Sequence, residues 1–264
     1  MKVRRSAVAG AFYPQDKFEL KEMVENFLSA APLYKLDNIR AAVSPHAGYI
    51  FSGPVAAYTY KQFLNLDLNK NWTIFLLGPS HYAYFSGASV GVFDFYETPL
   101  GLVKVSSVAR AIIEEEGFSF VIDAHVEEHC LEVQLPFLQI VFPKFEIVPI
   151  VFSEISYKYL ALVLDKYLNE NSILLVSSDL SHYHPYDIAR SIDKHCNIAV
   201  DKLDISELER CEACGKIGIA TSIYLAQKNK WRSEVLAYAT SGDTAGPKNQ
   251  VVGYGSYIFY EGGV

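Results

Sequence analysis

The strongest constraint on this chain is a set of apolar runs with little polar alternation. "WTIFLLG" (72–78), "FEIVPIVF" (145–152) and "SILLVSS" (172–178) are rich in β-branched residues. A strand apolar at nearly every position is one buried on both faces. Four more runs read as strands: "IRAAVS" (39–44), "GASVGVF" (87–93), "SEVLAYAT" (233–240) and "VVGYGSYIFY" (251–260). Between them lie segments with helical spacing, 18–30, 53–65, 105–117, 157–170, 185–203 and 218–229. Gly117 supplies a helix stop and Pro185 a helix start. Strands alternating with helices build a sheet with helices packed against it. The expected fold is therefore α/β, a single-domain layered sandwich spanning residues 1–264, with a mostly parallel central sheet flanked by helices. The last two strands follow each other closely, which predicts an antiparallel edge.

Composition narrows the function classes. Half of the 264 residues are hydrophobic, enough for one sizeable core. The net charge is −7 and there is no basic stripe, so nucleic acid is not an expected partner. No run approaches the ~18 apolar residues of a membrane span. The opening "MKVRRSAVAGAFYP" has a basic pair but too short an apolar core for a signal peptide, and the expected location is cytoplasmic. Four cysteines are too few for a secreted disulfide framework. The low methionine count hints at a thermophile, where an intracellular disulfide is admissible.

Three of the seven histidines follow strong apolar strands. They are His46 in "AAVSPHAGY", His81 in "LLGPSHYAY" and His182 in "LLVSSDLSHYH". In open α/β sheets, ligands bind at the carboxyl ends of the strands. The Pro and Gly residues around these histidines set sharp turns that can aim a side chain over the sheet edge. If the strands are neighbours, three imidazoles face one crevice. Three nitrogen ligands with open positions are the mark of a catalytic metal. Asp179, three residues before His182, can be a further ligand, a proton acceptor or the partner that fixes an imidazole. Any one of these histidines alone reads as an ordinary loop residue.

Other motifs compete. "DAHVEEHCLEVQLPFL" contains His125, Glu128 and His129 in H-x-x-E-H spacing, a zinc-peptidase pattern. Alternatively His129 starts a helix and faces the crevice as a general acid or base, or merely caps that helix beside Glu128. Glu132 is one turn on and within reach of either. "CEACG" offers Cys211 and Cys214 as half a zinc site, a redox pair or plain buried thiols. No phosphate loop, dinucleotide fingerprint or G-x-S-x-G elbow is present. Tyrosine-rich turns such as "HYAYF" can line a pocket for a flat substrate.

Several of these stretches occur together in one order: "AGAFYP" (9–14), "PHAGYIFSG" (45–53), "LGPSH" (77–81), "EHCLEVQLPFL" (128–138), "SSDLSHY" (177–183), "CG" (214–215) and "GYGSY" (253–257). In this the chain resembles the Memo family, whose prokaryotic members are called AmmeMemoRadiSam system protein B. The resemblance covers about residues 4 to 260. It implies a fold like the class III extradiol dioxygenases. It implies His46, His81 and His182 as metal-facing residues, with Asp179 and His129 as candidate catalytic groups. It implies a divalent metal ion, iron(II) first and copper or zinc next, and a dioxygenase-like or other redox reaction on an unnamed substrate. The alternative it leaves is a non-catalytic module that binds a peptide, a small molecule or a protein partner through the same pocket. The partners implied are radical-SAM and AMMECR-type proteins. Animal members carry a cysteine near the site; matching it to "ATSGDT" puts Thr244 in its place, so a pocket without a thiol is expected.

Overall fold

The computed structural model describes residues 1–262. Its strands, in chain order, are β1 (Val3–Arg4), β2 (Ile39–Ser44), β3 (Trp72–Pro79), β4 (Ala88–Val90), β5 (Phe95–Thr98), β6 (Gly101–Lys104), β7 (Phe118–Ser119), β8 (Phe145–Phe152), β9 (Ser172–Ser177), β10 (Asp179–His184), β11 (Arg232–Thr240) and β12 (Val251–Tyr260). The helices are α1 (Lys17–Ala30), α2 (Tyr49–Gln62), α3 (Val108–Ile112), α4 (His129–Glu132), α5 (Leu135–Val141), α6 (Tyr157–Asp165), α7 (Tyr186–Asp201), α8 (Lys216–Asn229) and α9 (Ser241–Thr244). Nine strands form the main sheet in the order β10-β12-β2-β9-β3-β8-β4-β7, with β11 also paired to β12. β1, β5 and β6 make a separate small sheet.

The four central strands, β2, β9, β3 and β8, run parallel. They are the apolar runs of the sequence, and they are buried on both faces: Ala41 to Val43, Ile74 to Leu77 and Ile173 to Val176 are closed to solvent. Each fully buried Val, Leu or Ile side chain contributes roughly 1.5–3 kcal/mol. One hydrophobic core contains residues from Val8 to Phe259. The sheet is mixed toward its edges. β12 runs antiparallel to β2, β10 and β11, and β4 runs antiparallel to β8. The antiparallel edge expected from the last two strands is the β11–β12 pair.

Parallel register brings the carboxyl ends of the central strands together. Ser44 stands opposite Ser177, and Pro79 opposite Phe152. The chain leaves this shared edge at four points, and His46, Asp179 and His81 each lie two residues beyond one of three of them.

Several segments differ from expectation: the strand expected over 87–93 is only Ala88–Val90, and the helix expected over 157–170 ends at Asp165. The helix expected over 105–117 shrinks to Val108–Ile112. Glu115 is instead drawn to Lys166 Nζ (2.7 Å) and Tyr167 Oη (2.8 Å), and Gly117 turns the chain at φ +75°. Residues 179–184 are not a loop but strand β10, irregular in register on both sides of His182. Tyr183 accepts a left-handed φ of +62° there, a conformation disfavoured for a bulky residue.

Candidate metal centre

His46 follows β2 after Pro45 and is buried. Its backbone N–H donates to Asp179 Oδ1 (2.7 Å), which ties the β2 and β9 exits together. Its Nδ1 is engaged by Ser177 Oγ (2.8 Å), so Nε2 faces Cys214 Sγ at 3.4 Å. Burial, and then the nearby His81, hold the His46 imidazole at a pKa of about 3. At neutral pH it is therefore uncharged, the form a metal requires.

His81 follows β3 and is held by Glu128 at two points. Its backbone N–H donates to Glu128 Oε2 (2.7 Å) and its Nδ1 meets Glu128 Oε1 (2.8 Å). Glu128 Oε1 also accepts the backbone N–H of Cys130 (3.1 Å). Burial alone would raise the Glu128 carboxyl, but hydrogen bonds and charge from His81, with the backbone donors, pull it down to about 2. An ionised Glu128 makes Nδ1 of His81 the donor and so turns Nε2 away from the carboxylate. Close packing behind the turn requires Gly78: a Cβ there would lie 2.3 Å from Cys130 Sγ.

His129 opens α4 and packs on Phe12, with ring centroids 4.9 Å apart. Burial, and then His46, lower its pKa to about 4. Its Nδ1 is buried without a hydrogen-bond partner, the nearest carboxylate oxygen being Glu128 Oε1 at 3.4 Å. One ligand nitrogen from each of His46, His81 and His129 lies within 4.8 Å of the others. His182 stands outside this set. It sits on β10, paired with Val252 of β12. Asp179 is buried, and burial raises its pKa despite the His46 N–H and the surrounding histidines.

Two site features were not legible as such. The first is Cys214. It belongs neither to a zinc half-site nor to a C-x-x-C redox pair, because Cys211 is disulfide-bonded to Cys196 and Cys214 is free. Its Sγ accepts the Asp179 backbone N–H (3.3 Å) while facing His46. The expectation of a pocket without a thiol is thus overturned. Thr244 donates to Ser241 O within its own short helix. The second is the N-terminal segment. Arg4 and Glu132 form a fully buried ion pair, and Glu132 also accepts the N–H groups of Ala7 (2.8 Å) and Val8 (3.0 Å) and the Tyr13 hydroxyl. This anchor sets Phe12 against His129.

The H-x-x-E-H reading fails on geometry. His125 is buried between Ser89 Oγ (2.9 Å) and the Tyr96 hydroxyl (3.0 Å), both ring nitrogens occupied. It is a core histidine and is absent from the cluster that contains His129.

Residues 4–258 match the family model described as Memo-like protein. Curated relatives named MEMO1 family protein align along nearly their full length. That of Nitrosopumilus maritimus is 35% identical over 97% of this chain and 99% of its own. That of Saccharolobus solfataricus is 36% identical over 95% and 97%. That of Aquifex aeolicus is 35% identical over 98% and 100%.

Proposed function

The chain belongs to the Memo family, whose fold is extradiol dioxygenase-like, and on that premise we propose that the strand-end cluster is a redox-capable metal centre. The observation that carries this reading is the convergence of His46, His81 and His129, with the buried His129 Nδ1 left without a partner. The donor set fits a divalent transition metal. Neutral imidazoles and a thiol suit iron(II), copper or zinc and do not suit magnesium or calcium. Cys214 Sγ lies 3.4 Å from His46 Nε2, so the thiol would be at hand beside an ion held there. We assign His46, His81 and His129 as ligands, with Cys214 as a further donor beside them.

Such an ion supplies Lewis acidity and, when it is iron or copper, electron exchange. The protein's own residues do the rest. Glu128 fixes the His81 ring and keeps Nε2 open toward the centre. Asp179 lies against His46 and Cys214 and is placed to hold a proton beside them. The chemical class that follows is dioxygenase-like or another metal-dependent oxidation.

The test is elemental analysis of untagged protein with iron(II), copper and zinc add-back, followed by oxygen uptake over a catechol panel. About one ion per chain is expected, lost in His46→Ala and His81→Ala. No ion bound at any stoichiometry overturns the reading. Metal binding without oxygen uptake would favour the binding-module alternative over the enzyme.

A further inference from the structure

Behind His46 lies a chain of hydrogen bonds whose directions are all determined. Gln134 is buried, and its Oε1 accepts the hydroxyl of the buried Tyr60. That leaves its amide nitrogen two protons. One goes to Pro45 O (3.0 Å) and the other to Ser177 Oγ (2.8 Å). Pro45 O is a pure acceptor, so the amide cannot be flipped. Ser177 has one proton, and it goes to Cys130 O at 2.6 Å. With its proton committed and one lone pair taken by Gln134, Ser177 Oγ has a single acceptor position left. His46 Nδ1, at 2.8 Å, occupies it. Nδ1 must therefore carry the ring proton, and Nε2 is bare where it faces Cys214.

We propose that Gln134 and Ser177 are positioning residues that lock His46 into its Nδ1–H tautomer and so present an unprotonated Nε2 to a transition-metal cation. The inference rests on the metal-centre reading above for its purpose, and on the hydrogen bonds alone for the lock itself. The two cluster histidines are held by different means. His81 is fixed by an ionised carboxylate, Glu128, while His46 is fixed by a neutral relay. The relay also ends on Cys130 O, one residue past His129 and two past Glu128. The exits of β2 and β9 and the start of α4 are thereby joined in one network.

The lock is loosened by Gln134→Met, which keeps the side-chain size but withdraws the amide N–H that holds Ser177 Oγ, so that the hydroxyl can turn from Cys130 O onto His46 Nδ1. Ser177→Ala removes the acceptor outright, and Ser177→Thr restores a hydroxyl. The ring proton is read in metal-free, histidine-15N-labelled protein by two-bond 1H–15N correlation, and affinity by titration with cobalt(II) alone. The wild type and Ser177→Thr are expected to show His46 in one Nδ1–H form. Gln134→Met and Ser177→Ala are expected to show an Nε2–H population and cobalt(II) binding weaker by about 10- to 100-fold. A His46 that stays Nδ1–H in both variants overturns the proposal, as does weakened cobalt(II) binding with the tautomer unchanged. A wild type that takes up no cobalt(II) or other metal, yet holds a tautomer that Gln134→Met releases, upholds the lock and sinks the metal-centre reading instead.

Discussion

At the scale of single residues, Cys214 alters the pocket's chemistry most. Burial, and then Asp179, push its thiol up to about 12, so without a metal it is a neutral S–H beside a neutral His46. A thiolate then forms only when a cation compensates its charge, which couples ligation to proton release. Cys214→Ala is expected to weaken cobalt(II) binding by at least 10-fold in calorimetric titration. Thr244→Ala is expected to leave it unchanged, since Thr244 bonds within its own helix. Equal losses from both would contradict the geometry. Matching the cysteine to "ATSGDT" failed because proximity along a motif is not proximity in the fold. Cys214 reaches His46 across 168 positions of chain.

At the scale of elements, the cysteine arrives there because α8 begins hard against the end of β9. A Cβ on Gly215 would lie 2.5 Å from Ser178 Cβ and 2.8 Å from Ser177 O, so only glycine permits this approach. Gly215→Ala should push the start of α8 outward, carrying Cys214 with it. The expected result is a loss of about 1–3 kcal/mol in urea unfolding, together with weaker cobalt(II) binding. Unchanged stability would mean that the two elements do not meet this closely. The Cys196–Cys211 disulfide ties the segment just before Cys214 to α7. On the opposite side, Arg4 and Glu132 seat the N-terminal segment through a buried pair, satisfied by four further polar contacts from Glu132 and Arg4 to backbone. Neither arrangement has a local sequence signature. Buried ion pairs and close helix starts are settled by which surfaces meet.

At the scale of the whole molecule, three largely enclosed histidines act on stability in the same direction. His46 and His125 are lowered to about 3 and His129 to about 4, burial being the leading cause in each. Their unfolded pKa is near 6.5, so below that pH the unfolded chain binds protons that the native protein refuses. Stability is full above pH 6.5 and falls as pH drops through it. With three such groups the slope reaches roughly 4 kcal/mol per pH unit, an upper figure for coupled neighbours. Glu128 adds to the loss lower down: its carboxylate is stabilised in the native state, and that contribution disappears between about 4.5 and 2. Urea unfolding of metal-free protein at pH 8, 6.5 and 5 should give nearly level stability above pH 7 and a steep fall below 6.5. A level profile down to pH 5 would show that these histidines are not buried uncharged. Among the described residues no helix is long and apolar enough to cross a membrane.

The sequence by itself determined the central strands and the edge of the sheet that carries the site. Continuous burial on both faces leaves a one-dimensional trace, and β2, β3, β8, β9 and β12 follow it almost to the residue. It also marked His46, His81, His182 and Asp179, because chemistry at a strand end interrupts an apolar run, and His129 by its place before an apolar helix. Tertiary structure alone decided which of these groups converge. It placed His129 in the cluster and His182 beside it, brought Cys214 to His46, and sent His125 into the core. A coordination sphere is a matter of a few ångströms between residues far apart in the chain, and that distance is set by strand order and helix packing, for which local periodicity carries no signal.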